Sequence, residues 1–141
     1  MLKLKKNFST TVYYGFLDAF KEEYILRKLN AEDLDYVWHE KNKIDRSIKI
    51  ISRYFLRKIL VIELGLDAGF TFDFSSNGKP FIKDLPYYFN LSHCQECFVI
   101  GLSKYKIGVD VETLDRPVEI YKMSEFLFSE RELIEFNALN K

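Results

Sequence analysis

The sequence predicts an α+β protein in which a small, mainly antiparallel sheet packs against one long helix. The helix is predicted over residues 44–63, where apolar side chains recur at spacings of three and four, at Ile48, Ile51, Phe55, Ile59 and Ile62. Later in the chain, short apolar segments separated by turn residues are typical of antiparallel strands. With 141 residues, 48% of them hydrophobic, the chain is long enough for one domain with a core.

The remaining elements can be assigned in order along the chain. Residues 10–17 are β-branched and aromatic, which favours a first strand. A helix is predicted over 18–29 and a second from Asn30, whose side chain is a suitable cap. Trp38 is expected to pack from this second helix onto the core. Further strands are predicted at residues 70–75, 87–91, 97–103 and 106–112.

Four cations follow the long helix on the face nearly opposite its apolar stripe: Arg46, Lys49, Arg53 and Arg57. A line of exposed cations is typical of a solvated helix face. The same line would bind anions if the ligand were rich in phosphate. The pattern leaves both interpretations open.

Composition narrows the class of protein. Lys and Arg together number 21, as do Asp and Glu, so the formal net charge is zero, which argues against a nucleic-acid-coating protein. The sequence has no run of 18 apolar residues and no apolar segment of a secretory signal. We therefore expect a cytoplasmic protein without a membrane or nucleic-acid partner.

Cys94 and Cys97 form a C-x-x-C beside His93. A structural zinc site needs four ligands, and the other histidine, His39, lies far away in a predicted helix. A redox C-x-x-C usually opens a helix, whereas this one runs into a predicted strand. The sequence therefore favours ordinary structural thiols over a metal or redox role.

Residues 106–113 alternate between apolar and polar side chains, which predicts a strand with Asp110 and Glu112 on one face, about 7 Å apart. Two such carboxylates can share Mg²⁺, which prefers oxygen ligands and keeps waters and substrate phosphate as the others. The alternative is an exposed strand face with two solvated acids.

Two further polar motifs favour the metal interpretation. Gly78-Lys79-Pro80 places a cation just after a turn, and Ser92-His93 follows a predicted strand end. A hydroxyl, an imidazole and a cation near a metal site indicate phosphoryl chemistry, in which catalysis is largely positioning and charge neutralisation. By itself, His93 could equally be a hydrogen-bonded core imidazole.

The three motifs Gly-Lys-Pro, Asn-Leu-Ser-His and Gly-Val-Asp-Val-Glu, in this order, resemble those of 4′-phosphopantetheinyl transferases of the two-lobed, surfactin-synthetase-activating type. The resemblance covers nearly the whole chain but only one lobe of the family fold. It implies a first lobe over residues 1–116. Residues 117–141, with a capping box at Ser129, would begin the helical connection to a second lobe.

The resemblance implies Mg²⁺-dependent transfer of the 4′-phosphopantetheine arm of coenzyme A to a serine of an acyl or peptidyl carrier protein. Asp110 and Glu112 would hold the metal, and His93 would join them as a catalytic residue. Arg46 matches a position that contacts the 3′-phosphate of coenzyme A. The residues expected to bind coenzyme A are Arg46, Arg53, Lys79, Pro80, Ser92, His93 and Thr113.

The family's second motif, W-x-x-K-E, has no counterpart in this sequence. The resemblance therefore leaves four alternatives: a truncated transferase; a site completed by a second lobe or by a homodimer; a non-catalytic module that binds coenzyme A or a carrier protein; or a Mg²⁺-dependent phosphoesterase. In the two-lobed fold the third carboxylate and a lysine come from that missing motif.

Overall fold

The longest helix, α3 (Lys43–Leu64), supplies much of the buried core of the structure, a computed structural model that describes residues 2–6, 9–114 and 120–139. The Asn42 side chain caps α3 by accepting from the backbone N–H groups of Ile44 and Asp45 at 2.9 and 3.4 Å. Gly65 ends it with φ 66°, a left-handed conformation that glycine adopts readily. The predicted helix is therefore confirmed, with one further residue at each end.

A four-stranded antiparallel sheet packs against this helix. Its strands lie in the order β1-β2-β6-β5, so β5 is an edge strand. A separate two-stranded hairpin is made of β3 and β4. The strands are β1 (Leu2–Lys6), β2 (Thr10–Phe16), β3 (Asp73–Phe74), β4 (Pro80–Phe81), β5 (Tyr88–His93) and β6 (Cys97–Ser103).

Aromatic side chains join the sheet to α3. Phe98 of β6 is fully buried and stacks on Phe55 of α3, with ring centroids 5.3 Å apart, and Phe20 packs on Phe55 at 4.5 Å. Gly15 makes this packing possible, since a Cβ at Gly15 would lie 2.7 Å from the Phe98 ring. The predicted α+β class, with an antiparallel sheet packed on a long helix, is confirmed.

The other helices are α1 (Glu22–Leu26), α2 (Ala31–Trp38), α4 (Ile120–Leu127) and α5 (Glu130–Leu139), with a 3₁₀ turn at Leu17–Ala19. The helix predicted over 18–29 is broken, because Phe20 is extended and turns its ring into the core. Two predicted caps are confirmed: Asn30 Oδ1 accepts from Asp33 N at 2.9 Å, and Ser129 exchanges hydrogen bonds with Glu132. The predicted start of the C-terminal helical connection, at residue 117, lies outside the described residues.

Two apolar side chains predicted to be buried are exposed. Trp38 is 54% exposed and holds the Arg46 guanidinium over its ring at 4.9 Å, while its neighbour Val37 fills the core position. Ile62 is 64% exposed, because it lies near the end of α3, beyond the last fully buried residue, Leu60. The strand predicted at 70–75 shortens to β3, since the Phe70 carbonyl and the Phe72 N–H bond to the side chains of Arg57 and Glu32 and not to a neighbouring strand.

The line of four cations on α3 is not a uniformly solvated face, because two of the four are buried. Arg53 and Arg57 are only 2% and 9% exposed, and both bind the fully buried carboxylate of Asp33 on α2. Arg53 Nε donates to Asp33 Oδ1 at 2.6 Å, and Arg57 donates through Nε and Nη2 to the two carboxylate oxygens. Buried charges are tolerated because they are paired in this way. Burial tends to lower the pKa of Arg57, but pairing with Asp33 and Glu32 leaves it raised.

The ion-pair network extends beyond the two helices. Glu32 accepts from Arg57 Nη2 at 2.8 Å and from the backbone N–H of Phe72 at 2.9 Å. Arg57 Nη1 also donates to the carbonyl of Phe70. The network therefore fixes α2, α3 and the segment that leads into the β3–β4 hairpin in one arrangement.

Within the described ranges, no helix combines the length and the apolar character that crossing a bilayer requires.

Replacing Asp33 by alanine should lower the free energy of unfolding by about 3–5 kcal/mol, because two arginines would be left buried without their counter-ion. Urea unfolding followed by circular dichroism measures this loss. Asp35→Ala is the matched control on the same helix, at an exposed position, and should change stability by no more than about 0.5 kcal/mol. Equal losses in the two variants would contradict the role assigned to the network.

Candidate functional site

Residues 106–113 carry the two exposed carboxylates Asp110 and Glu112, the acid pair, and form the acid-pair segment. Side chains of the edge strand β5 hold this segment. Asn90 Oδ1 accepts from the backbone N–H of Val109 at 2.8 Å, and Ser92 Oγ accepts from that of Val111 at 3.3 Å. The strand predicted at 106–112 is therefore wrong, because two side chains take the N–H groups that a ladder would pair with carbonyls. The Asp110–Glu112 segment lies beside the sheet instead of within it.

A glycine lets this segment approach the sheet closely. A Cβ on Gly101 of β6 would lie 2.8 Å from both Ile107 Cδ1 and Val109 Cγ1. The apolar members of the segment therefore pack towards β6, while Asp110 and Glu112 are exposed. The alternation predicted from the sequence is confirmed even though the strand is not.

Asp110 is oriented by a hydroxyl. Ser92 Oγ donates to Asp110 Oδ1 at 2.7 Å and accepts from Val111 N, so one serine holds both the carboxylate and its backbone. Within the part of the chain that the structure describes, no cluster of three or more His, Cys, Asp or Glu side chains could hold a metal ion. The carboxylates of Asp110 and Glu112 remain the candidate protein ligands for a cation here.

Lys79 reaches the same segment from the β3–β4 hairpin. Gly78 turns the chain with φ 73°, and Ser75 N donates to Lys79 O at 2.9 Å. Lys79 Nζ then donates to the carbonyl of Ile107 at 3.1 Å. The hairpin therefore places a cation at the beginning of the acid-pair segment.

A cavity on the α3 side of β5 brings together three of the predicted coenzyme A residues: Arg53, Pro80 and His93. It is also lined by Tyr36, Lys49 and Asn90. Because β5 continues through His93, the Ser92 and His93 side chains project to opposite faces of the sheet. The site is thus divided by the edge strand, with the acid pair on one side and the cavity on the other.

His93 is half-buried, and this burial lowers its pKa. The charge of Lys49 lowers the pKa further, while Asp45 opposes it. His93 is therefore neutral at pH 7 and has one ring nitrogen that donates and one that accepts.

Arg53 and Arg46 have different surroundings. The Arg53 guanidinium lies 3.7 Å from the Phe72 ring centroid and 4.7 Å from that of Tyr36, with its charge paired to Asp33. Arg46 is half-buried over Trp38 and is not among the residues that line the cavity. A role of either in coenzyme A binding stays a prediction.

Two residues of the site were not singled out from the sequence. Lys49 lines the cavity and is held by Glu40 Oε2 at 2.6 Å; the sequence showed it only as one of four cations on α3. Asn90 fixes Val109 and lines the cavity, and the signal for it was its place in the Asn-Leu-Ser-His motif. Thr113 is half-buried, and its side chain helps to hold the pKa of the Cys94 thiol below its ordinary value.

The exposed carboxylates Asp110 and Glu112 and the cavity lined by His93 thus lie on opposite faces of the edge strand β5. The chain is 30% identical over 100 residues to a 4′-phosphopantetheinyl transferase of Bacillus subtilis, which is 70% of this chain and 45% of the relative. It is 31% identical over 94 residues to the 4′-phosphopantetheinyl transferase gsp of Aneurinibacillus migulanus, which is 66% of this chain and 38% of the relative.

No family model matches the chain. The two similarities nevertheless confirm the resemblance that the three motifs predict, and the chain is related to 4′-phosphopantetheinyl transferases. It spans less than half the length of either relative.

The lowered pKa of His93 gives the unfolding free energy a pH dependence. The unfolded chain binds a proton at His93 near pH 6.5 and the folded protein only at lower pH, so stability falls as pH drops through this window. Urea unfolding at several pH values should show a shallower slope for His93→Gln than for the wild type. Gln95→Ala, at an exposed position two residues beyond His93, removes no titratable group and is the control that should keep the wild-type slope. An unchanged slope in His93→Gln would contradict the assignment.

Proposed function

We propose that this chain takes part in transferring the 4′-phosphopantetheine arm of coenzyme A to a serine of an acyl or peptidyl carrier protein. The observation that carries the proposal is the hydrogen bond from Ser92 Oγ to Asp110 Oδ1. It links the acid pair directly to the strand whose next residue, His93, lines the cationic cavity. Similarity to two transferases supports the same function.

Coenzyme A would bind across the end of β5. Its nucleotide would enter the cavity, where Lys49 offers a cation and neutral His93 a hydrogen-bond donor, and where Pro80 and Tyr36 supply apolar surface. Its diphosphate would lie on the other side of the strand, near Lys79, Ser92 and Thr113. Arg46 would contact the 3′-phosphate from the beginning of α3.

The donor chemistry of the acid pair fits Mg²⁺. Asp110 and Glu112 offer carboxylate oxygens at an exposed position, which leaves room for the waters and phosphate oxygens that Mg²⁺ retains. When bound, the metal would neutralise charge on the diphosphate of coenzyme A. Ser92 keeps one oxygen of Asp110 occupied and so fixes the direction of the carboxylate.

In the proposed reaction the hydroxyl oxygen of the carrier serine attacks the β-phosphorus of coenzyme A. The bond from that phosphorus to the bridging oxygen breaks, and 3′,5′-ADP leaves. The groups of this chain act mainly by positioning and by charge: the cavity orients the nucleotide, and Lys79 adds positive charge. Neutral His93 would donate a hydrogen bond to the nucleotide from the cavity side of the strand.

Several parts of the proposal are predictions from the sequence resemblance. They include the division into a first lobe over 1–116 and a helical connection over 117–141, whose boundary lies outside the described residues. They also include a second lobe or a second copy of the chain that completes the site, and a cytoplasmic location. A module that binds coenzyme A or the carrier protein without chemistry is the alternative.

Intact-protein mass spectrometry of an apo carrier protein, incubated with the chain, coenzyme A and Mg²⁺, tests the proposal. We expect the carrier to gain one phosphopantetheine group, and Asp110→Ala and Glu112→Ala to reduce the rate by at least about a hundredfold. Asp35→Ala is the matched control and should keep the wild-type rate. Undiminished transfer in both site variants would remove the metal assignment.

If the carrier gains no mass, calorimetry with coenzyme A separates the alternatives. Binding without transfer would mean that the chain is half of an active site that needs a second lobe, or a non-catalytic binding module. An absence of binding to both coenzyme A and the carrier would refute the proposal.

The predicted role of Arg46 is tested by comparing coenzyme A with dephospho-coenzyme A in the same calorimetric experiment. Arg46→Ala should weaken the binding of coenzyme A by roughly tenfold and leave the affinity for dephospho-coenzyme A nearly unchanged, because only coenzyme A carries the 3′-phosphate. Lys43→Ala, an exposed cation on the same helix, is the control and should affect neither ligand. Equal weakening of the two ligands would exclude a contact between Arg46 and the 3′-phosphate.

A further inference from the structure

Cys94 and Cys97 lie at the two ends of the turn that joins β5 to β6. The backbone N–H of Cys94 donates to the carbonyl of Cys97 at 2.9 Å, so the two residues close a four-residue turn. Their sulfur atoms are 3.6 Å apart. Both thiols are half-buried and therefore within reach of small solutes.

This geometry suits a disulfide between the two residues. Facing residues of antiparallel strands that share such a backbone hydrogen bond have Cα atoms about 5.5 Å apart, and disulfides commonly join Cα atoms about 4.4–6.8 Å apart. The sulfur atoms need to approach by roughly 1.5 Å to reach the bonded distance of about 2.05 Å. Because the side chains already meet, rotation about the side-chain bonds supplies this movement.

The two thiols differ in their ionisation. Partial burial opposes ionisation of Cys94, but hydrogen bonds from the backbone at Glu96 and Cys97 and from the Thr113 side chain hold its pKa below the ordinary value. Burial, together with the neighbouring Cys94, raises the pKa of Cys97 to about 11. Cys94 is thus the better nucleophile of the two thiols, and Cys97 is the poorer one.

We propose that Cys94 and Cys97 are a reversible redox modification site, with Cys94 as the attacking thiol and Cys97 as the resolving thiol. A low-molecular-weight disulfide is the oxidant. The Cys94 thiolate attacks one of its sulfurs and releases one thiol, and Cys97 then gives up its proton and attacks Cys94, releasing the second. The protein loses two hydrogen atoms, and the oxidant is reduced to two thiols.

Oxidation would also change the surroundings of the acid pair. The Cys94 sulfur, whose pKa the Thr113 side chain helps to lower, would be turned towards Cys97 and would lose its thiolate character. Thr113 directly follows Glu112, so the C-terminal end of the acid-pair segment would lose one of its contacts with the rest of the protein. The sequence pattern argued against a redox role because this C-x-x-C does not open a helix; in the structure the short connection between β5 and β6 brings the thiols together instead.

Incubation of the chain with glutathione disulfide, followed by intact-protein mass spectrometry under acid quench, tests the proposal. The wild type should lose two hydrogen atoms and retain no glutathione. Cys97→Ser should keep one glutathione on Cys94, and Cys94→Ser should react at least about tenfold more slowly. Reduction with dithiothreitol should restore the wild-type mass.

A wild type that retains glutathione, or that stays a dithiol, would overturn the proposal. These outcomes do not depend on transfer of phosphopantetheine, and the wild-type result does not depend on whether a variant folds. The effect on the acid-pair segment is read by amide hydrogen exchange. Residues 111–114 should exchange faster in the oxidised form, and equal exchange in the two forms would remove the link to that segment.

Discussion

The buried carboxylate of Asp33 is the constraint on which the arrangement of the chain depends. It pairs with Arg53 and Arg57, while Glu32 beside it binds the backbone at Phe72. Leaving any of these charges unpaired inside the protein would cost several kcal/mol, so the groups are held together. Two elements that are distant in sequence, α2 and the segment before the β3–β4 hairpin, thereby take fixed positions on α3.

The site depends on this arrangement in two ways. Arg53 and Tyr36 form part of the cavity wall, so their positions follow from the ion pairs and ring contacts that hold them. The hairpin carries Lys79 towards Ile107, and that approach requires its preceding segment to be fixed. On the opposite face of the sheet, Gly101 and Ser92 set the position of the acid-pair segment independently of the network.

Local sequence patterns predicted the helices and strands better than they predicted the contacts around them. The apolar period of α3 and the caps at Asn30 and Ser129 depend on nearby residues, and these were confirmed. The burial of Arg53 could not be predicted, because its partner lies 20 residues away and exposed cations have the same spacing. The alternation at residues 106–113 is identical for a strand and for a segment held by side chains. Only the structure shows that Asn90 and Ser92 replace a neighbouring strand.

The division of the site by one strand has a consequence for selectivity. A ligand that occupies both sides of β5 must be long and bent enough to pass around an edge strand, as a nucleotide joined to a diphosphate arm is. Its two parts would then bind as a chelate, since occupation of the cavity raises the local concentration of the other part beside Asp110. Free phosphate or a bare nucleoside can engage one half alone, and the molecule would thus discriminate by length as well as by charge.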